Sequence, residues 1–206
     1  MQHRERPETQ RRWLAEEAAR LMAEQGIAEP ERARRKVAER AGIADKRRWP
    51  SNEEVQEALL AYRRLFWRPE QTAAVDRQRQ QALAAMRHFH RFRPRLIGSL
   101  ATDYPDPSLP VRLLLAAEAV DEVVLELLNQ GIRWRERQET RRFADGSRGF
   151  LPVLSFLAGD TPIELLVLPH TARSNPPLDP MDDRPERGLD EVGVTALLTS
   201  VHAGQA

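Results

Sequence analysis

The spacing of apolar residues changes near residue 94 of this chain. Before that point they recur every three or four positions, the period of an α-helix with one buried face. After it come short apolar runs, such as residues 95–100 and 111–117, which are typical of strands. The chain is therefore expected to be α+β, with a helical region in residues 1–70 and a small mixed sheet with flanking helices in residues 71–170.

Four helices are expected in the first half of the chain. The first two, residues 8–26 and 29–42, each end at a glycine, the residue most often found just past a helix C-terminus. Ser51 followed three residues later by Glu54 forms a capping-box pattern, which predicts the start of a third helix. A fourth helix is expected over about residues 70–91. Trp13, on the first helix, is expected to help hold the helices together.

The second half is expected to contain five strands and a crossover helix. The strand segments are residues 95–100, 111–117, 132–143, 150–159 and 161–169. Residues 118–132 are amphipathic and long enough for a helix that crosses the sheet. Pro152 predicts an edge or a bulge, because proline has no amide hydrogen to give to a neighbouring strand, and Phe150 is expected in the sheet core. Residues 171–206 are expected to form a Pro-rich tail and a short helix.

Composition excludes several classes of site. The chain has no cysteine, which rules out disulfides, thiolate catalysis and cysteine-bound zinc. Any metal ion would need carboxylates or the five histidines as ligands. No apolar run approaches the roughly 18 to 20 residues of a membrane helix, and the first residues lack the apolar core of a signal peptide. We therefore expect a cytoplasmic protein with no membrane association.

The charges are distributed unevenly. Residues 1–95 carry 22 basic and 14 acidic side chains, and residues 96–206 carry 10 and 17. Thirty of the 32 basic residues are arginine, whose planar group suits phosphate. A basic first half is compatible with a nucleotide, an RNA or DNA backbone or an acidic protein as partner. It is equally compatible with simple charge complementarity between the two halves.

The segment "RPRLIGSLATDYPDPSLPVRLLLAA", residues 93–117, gives a strand, a Gly-Ser turn, a polar loop and a second strand. Together with the flanking helices, residues 72–169 resemble the core of the DNA polymerase beta-like nucleotidyltransferase superfamily. The resemblance implies that Gly98 and Ser99 form a phosphate-binding turn. It also implies a carboxylate pair on the second strand and a third carboxylate on a later strand, which together hold two Mg²⁺ ions beside a nucleoside triphosphate.

The carboxylate pair is missing from this chain. Counting forward from the turn, the pair should fall near Pro110 and Arg112, and neither side chain can bind a cation. Glu164 matches the third carboxylate. We therefore expect a non-catalytic, nucleotidyltransferase-like binding or regulatory protein without a bound metal or cofactor, in which Arg112 and Glu164, on neighbouring strands, form a salt bridge at the former metal site.

Two sets of residues are compatible with other functions of this fold. Asp103 and Asp106 lie in the loop after the turn, and with Glu164 they are the candidate catalytic carboxylates of an active enzyme that binds Mg²⁺ and a nucleoside triphosphate. Basic side chains precede the turn. Arg91, Arg93 and Arg95 are therefore candidates, with Gly98 and Ser99, for binding a phosphate or an RNA backbone.

A third hypothesis is a DNA-binding regulator. Residues 18–43 resemble the start of a TetR-type helix-turn-helix, in which a recognition helix would follow and enter the major groove. Pro50 disfavours a helix immediately before it and leaves no room for a full recognition helix. Basic side chains of this region could still contact phosphates without selecting a sequence. They are Arg32, Arg34, Arg35, Lys36, Arg40, Lys46, Arg47 and Arg48.

Overall fold

A computed structural model describes residues 7–27, 29–66, 69–102, 105–169, 175–180 and 183–203. The chain divides into two compact units. The first comprises Met1–Arg68 with Pro180–Asp183, and the second comprises Pro69–Asp179 with Arg184–Ala206. The predicted α+β class is confirmed, because the N-terminal part is helical and the second unit contains a mixed sheet.

The helical unit contains α1 (Pro7–Gln25), α2 (Pro30–Arg40) and α3 (Asn52–Phe66). Their apolar faces form one core, made chiefly of Leu14, Ala18, Leu21, Met22, Ala33, Val37, Val55 and Leu59. The expected capping box starts α3. The Ser51 amide donates to the Glu54 carboxylate at 2.6 Å, and the Glu54 amide donates to the Ser51 hydroxyl at 3.1 Å. Trp13, expected between the helices, is 46% exposed.

The second unit begins with α4, and its strands and helices agree with the apolar runs of the sequence. Its elements are α4 (Pro69–His88), β1 (Arg95–Ile97), β2 (Val111–Ala116), α5 (Val120–Asn129), β3 (Arg135–Arg142), β4 (Arg148–Ala158), β5 (Thr161–Leu168) and α6 (Glu191–Ala203). Within the described residues the sheet has five strands in the order β1-β2-β5-β4-β3. The β2 and β5 strands are parallel, and the other neighbours are antiparallel.

Alternate side chains of the strands enter two different clusters, as the two-residue period of a strand requires. On one face, Leu113 and Leu165 pack with Phe89, the residue just after α4, with Leu127 of α5 and with Val194 of α6. On the other face lies a smaller apolar cluster of Ile97, Leu114, Phe143, Leu151, Val153, Leu166 and Leu168. The helices thus cover the first face, and the second face carries the charged residues described below.

Pro152 lies where β4 has a neighbour on one side. It faces Gln138 of β3 in a continuous register, whereas the pairing of β4 with β5 runs from Val153 to Ala158. The proline therefore marks a local edge without a bulge. Phe150, expected in the sheet core, is 70% exposed, because its side chain lies on the face of β4 opposite to that of the buried Leu151.

The chain after β5 returns along the sheet as residues 175–179 and 184–190, which we call the C-terminal strap. Leu96 of β1 and Leu189 exchange two backbone hydrogen bonds of 2.8 Å. Gly188 has a φ of +63°, and a Cβ there would lie 2.6 Å from the Leu96 carbonyl oxygen, so only glycine fits. No helix in the described part of the chain combines the length and the apolar character needed to cross a membrane.

Candidate functional site

Arg112 of β2 and Glu164 of β5 lie side by side on the sheet face that carries the smaller apolar cluster. They are Cα partners in the parallel register, which puts their side chains on the same face. The Arg112 Nε atom lies 3.2 Å from Glu164 Oε2 in an ion pair, although not in hydrogen-bond geometry. The expected salt bridge between these two residues is therefore confirmed.

Residues of β3 extend this pair into a network, because Arg137, Glu139 and Arg141 alternate along the strand and share one face. Arg112 Nη2 donates to both oxygens of Glu139 at 2.8 and 2.7 Å. Arg137 Nη2 donates to both oxygens of Glu164 at 3.0 and 2.9 Å. The ion-pair network is defined here as Arg112, Arg137, Glu139, Arg141, Glu164 and Glu186.

Glu139 lies at the centre of this network. Burial alone would raise the pKa of its carboxyl group, because a charged carboxylate loses hydration away from water. The positive charges of Arg112 and Arg141, and the hydrogen bonds they donate, outweigh burial and lower the pKa of Glu139 to about 2. Glu139 is therefore a carboxylate throughout the physiological pH range, held in place by arginines.

Glu186 of the strap joins the network through Arg141. Both are buried, with exposures of 7% and 3%. Arg141 Nη2 donates to the Glu186 carboxylate and to the Leu178 carbonyl, the latter at 2.8 Å, while its Nη1 donates to Glu139 at 3.1 Å. Burial raises the pKa of Glu186 above its usual range even though Arg141 favours the charged form. One arginine thus connects β3 to the strap.

The Gly98–Ser99 turn lies directly against this network. Gly98 has a φ of +72°, and a Cβ on it would lie 3.7 Å from the Cδ atom of Arg112. Its amide donates to Glu186 Oε1 at 3.3 Å. The Ser99 hydroxyl accepts from the Asp106 amide, also at 3.3 Å. In the turn that the resemblance assigns to phosphate, the Gly98 amide and the Ser99 hydroxyl oxygen therefore both have contacts within the chain.

The two candidate metal-binding carboxylates that the structure describes, Asp106 and Glu164, do not form a metal site. Among the described residues, no cluster of three or more His, Cys, Asp or Glu side chains could hold a metal ion. Asp106 is buried, and its carboxylate accepts from the Ser108 amide at 2.9 Å and from its hydroxyl at 2.6 Å. Asp103 lies outside the described residues. Pro110 is half-buried just before β2 and offers no ligand.

The three candidate arginines do not gather at the turn. Arg91 Nη1 donates to Glu126 at 3.3 Å. Arg95 begins β1 while Gly98 follows its end, so about 10 Å of extended strand separates them at about 3.3 Å per residue. Arg93 lies two residues further from the turn. Arg93 and Arg95 instead line a cavity whose described lining residues include neither Gly98 nor Ser99.

The basic residues of the helical unit are only partly available for contacts with a partner. Arg32, Arg35 and Arg40 are exposed on α2 and have no ion pair among the described residues. The others contact groups of their own unit, namely Arg34 with the Pro50 carbonyl, Lys36 with Gln25, Arg47 with Asp45, Arg48 with Gln10, and Lys46 with the Trp49 ring. Between α2 and α3 the described chain has only a three-residue 3₁₀ turn, Lys46–Arg48, as Pro50 predicted.

The sequence interpretation missed Arg137, Glu139, Arg141 and Glu186. The alternation of "RERQETRR" was a sufficient signal that the first three share a face of β3. It could not indicate that this face turns towards Arg112, which belongs to a strand that is not its neighbour in the sheet. Nothing in the local sequence of Glu186 indicates that it is buried.

Comparisons with known proteins found no match to this chain. No protein-family model matches it, and the searches of curated proteins and of solved structures found no similar chain.

Proposed function

We propose that residues 72–169 form a nucleotidyltransferase-like domain that does not transfer nucleotides, and that the protein is a non-catalytic binding or regulatory protein. The observation that carries this proposal is the position of Arg112. It stands where the resemblance requires a metal-binding carboxylate, and it is paired with Glu164, the residue that matches the third carboxylate. A guanidinium group repels a divalent cation and occupies the oxygens that would bind it.

The charge of the network supports the same proposal. As defined above, it contains Arg112, Arg137 and Arg141 against Glu139, Glu164 and Glu186. These charges cancel, whereas a site for Mg²⁺ needs an excess of carboxylate charge to compensate for the water that the ion gives up. The Glu164 carboxylate is itself paired with two arginines, so its oxygens are already satisfied.

The rival hypothesis of an active enzyme requires Asp103, Asp106 and Glu164 to share metal ions. The Asp106 carboxylate is engaged by Ser108, and Glu164 is engaged by Arg112 and Arg137. Catalysis would therefore require several of these contacts to break before a metal could bind. The non-catalytic proposal requires no such rearrangement.

The test is nucleotide incorporation by the full chain. The protein is incubated with Mg²⁺ or Mn²⁺ and each labelled nucleoside triphosphate, with RNA, DNA, protein and the chain itself as acceptors. We expect no metal-dependent labelling. Glu164→Gln is compared with Glu136→Gln, an exposed carboxylate on the opposite face of β3. Labelling that persists in E136Q and disappears in E164Q would establish an active enzyme and refute the proposal.

A further inference from the structure

A cavity of about 730 Å³ lies at the carboxyl ends of the two parallel strands. Its wall includes Ala116 and Leu168, the last residues of β2 and β5, which are Cα partners. Leu114, Leu115 and Pro176 complete the apolar part of the wall. The volume falls within the roughly 300 to 1,000 Å³ that is typical of small-molecule sites.

The rim of this cavity is positively charged. Arg93, Arg95 and Arg187 line it, and the carboxylate among its described lining residues belongs to Glu186. That carboxylate is already engaged by Arg141 and by the Gly98 amide. The rim arginines are therefore not neutralised from within the cavity.

Two of these arginines are available to a ligand. Neither Arg93 nor Arg187 forms an ion pair with a described residue, and both are exposed. Arg95 lies 3.5 Å from Asp190, but both side chains face solvent, where such a pair contributes little. Positive side chains beside an apolar wall suit a molecule that combines a strong anion with an apolar group.

The backbone at Arg93 supports a role for this position. Arg93 has a φ of +48° and a ψ of +59°, a left-handed conformation that is unfavourable for a residue with a Cβ. It closes the 3₁₀ turn His90–Phe92, and its amide donates to the His90 carbonyl at 2.9 Å. Arg93 lines both the main cavity and an adjoining one of about 320 Å³. Strained backbone of this kind is concentrated at ligand sites.

We propose that this cavity binds a small phosphate monoester that carries a compact apolar group. The guanidinium groups of Arg93 and Arg187 hold the phosphate, because arginine forms paired, charge-assisted hydrogen bonds with phosphate oxygens. The apolar group lies against Leu114 and Leu168. This inference goes beyond the proposed function, since neither Gly98 nor Ser99 is among the described residues that line the cavity.

Phenyl phosphate is the probe that matches this chemistry. It is titrated into the full chain while the methyl signals of Leu114, Ala116 and Leu168 are followed by NMR. We expect saturable shifts of these signals, and weaker binding of inorganic phosphate and of phenol, which each lack one half of the probe. Absence of saturable shifts, or equal affinity for inorganic phosphate, would overturn the proposal.

Three arginine variants locate the site. Arg93→Asn keeps a residue that tolerates the left-handed conformation, and Arg187→Ala removes an exposed side chain. Each is expected to weaken phenyl phosphate binding by about ten-fold, the usual effect of losing a charge-assisted hydrogen bond. Arg133→Ala removes the same charge from an exposed position outside the cavity and should bind as the parent does. Equal weakening by R133A would show non-specific attraction and refute the site. Phenyl phosphate binding and nucleotide incorporation are separate measurements, so either proposal can fail without the other.

Discussion

The carboxylate of Glu186 accepts a hydrogen bond from the amide of Gly98, with 3.3 Å between oxygen and nitrogen. A turn that resembles a phosphate-binding turn thus gives its amide to a carboxylate of the same chain. That carboxylate belongs to the strap, which β1 holds through Leu96 and Leu189. The Gly98 amide therefore binds a carboxylate supplied by the strap, and this contact makes the turn part of the folded scaffold.

Removing the Glu186 carboxylate should destabilise the second unit, which contains the sheet. Glu186→Ala leaves Arg141 buried with one partner fewer, and breaking a buried pair in this way costs about 3 kcal/mol. Urea unfolding of the parent and variant measures the difference. Glu136→Ala, at an exposed site on β3, should change the free energy of unfolding by less than about 0.5 kcal/mol. Equal effects of the two variants would mean that Glu186 has no special structural role.

The pairing of Arg112 with Glu164 should appear as a coupling free energy. A double-mutant cycle with Arg112→Met and Glu164→Gln is expected to give about 1 to 3 kcal/mol, because both side chains are only 17% exposed. The matched cycle uses Arg12 and Glu16, an exposed pair on α1, where about 0.5 kcal/mol or less is expected. Urea unfolding of the parent and of the three variants of each cycle, seven proteins in all, provides both values. A coupling at Arg112 no larger than that at Arg12 would contradict a structural role for the network.

Stability should fall in acid because of Glu139. Its pKa in the folded protein is about 2, below the usual value of 4.5, so its contribution is present above pH 4.5 and is lost as the pH falls towards 2. The loss is on the order of 3 kcal/mol. Glu139→Gln should lack this dependence.

The measurement is the free energy of unfolding of the parent minus that of E139Q, between pH 7 and pH 2.5. Burial raises the pKa of Glu186, so Glu186 opposes the trend of Glu139 in both proteins. The difference between the proteins largely removes that opposing effect. A difference that stays constant with pH would show that the arginines do not lower the pKa of Glu139.

The local features of this fold were readable from the sequence because each depends on neighbouring residues. Apolar periodicity gave the helices and strands, and Ser51 with Glu54 gave the start of α3. The salt bridge of Arg112 with Glu164 was also predictable, because the resemblance placed the two strands next to each other.

The remaining part of the network depends on the path of the chain in three dimensions. Glu139 contacts Arg112 although two strands separate β3 from β2 in the sheet. Glu186 is buried only because the strap returns along β1, and its sequence "RPERG" resembles that of an exposed loop. The cavity could not be predicted from the sequence either. Arg93 and Arg187 are distant in sequence, and only the fold places both in its wall.

Contacts of the helical unit with nucleic acid are expected to be independent of sequence. The three-residue turn Lys46–Arg48 cannot act as a recognition helix, whereas Arg32, Arg35 and Arg40 remain exposed for phosphate contacts. We expect two duplexes of unrelated sequence to bind equally in a gel-shift titration, with an affinity that falls steeply as salt rises. The triple alanine variant of these arginines should lower the slope of log affinity against log salt by about 3, roughly one for each lost phosphate contact. A preference for one duplex, or an unchanged salt slope in the variant, would show that other residues make the contacts.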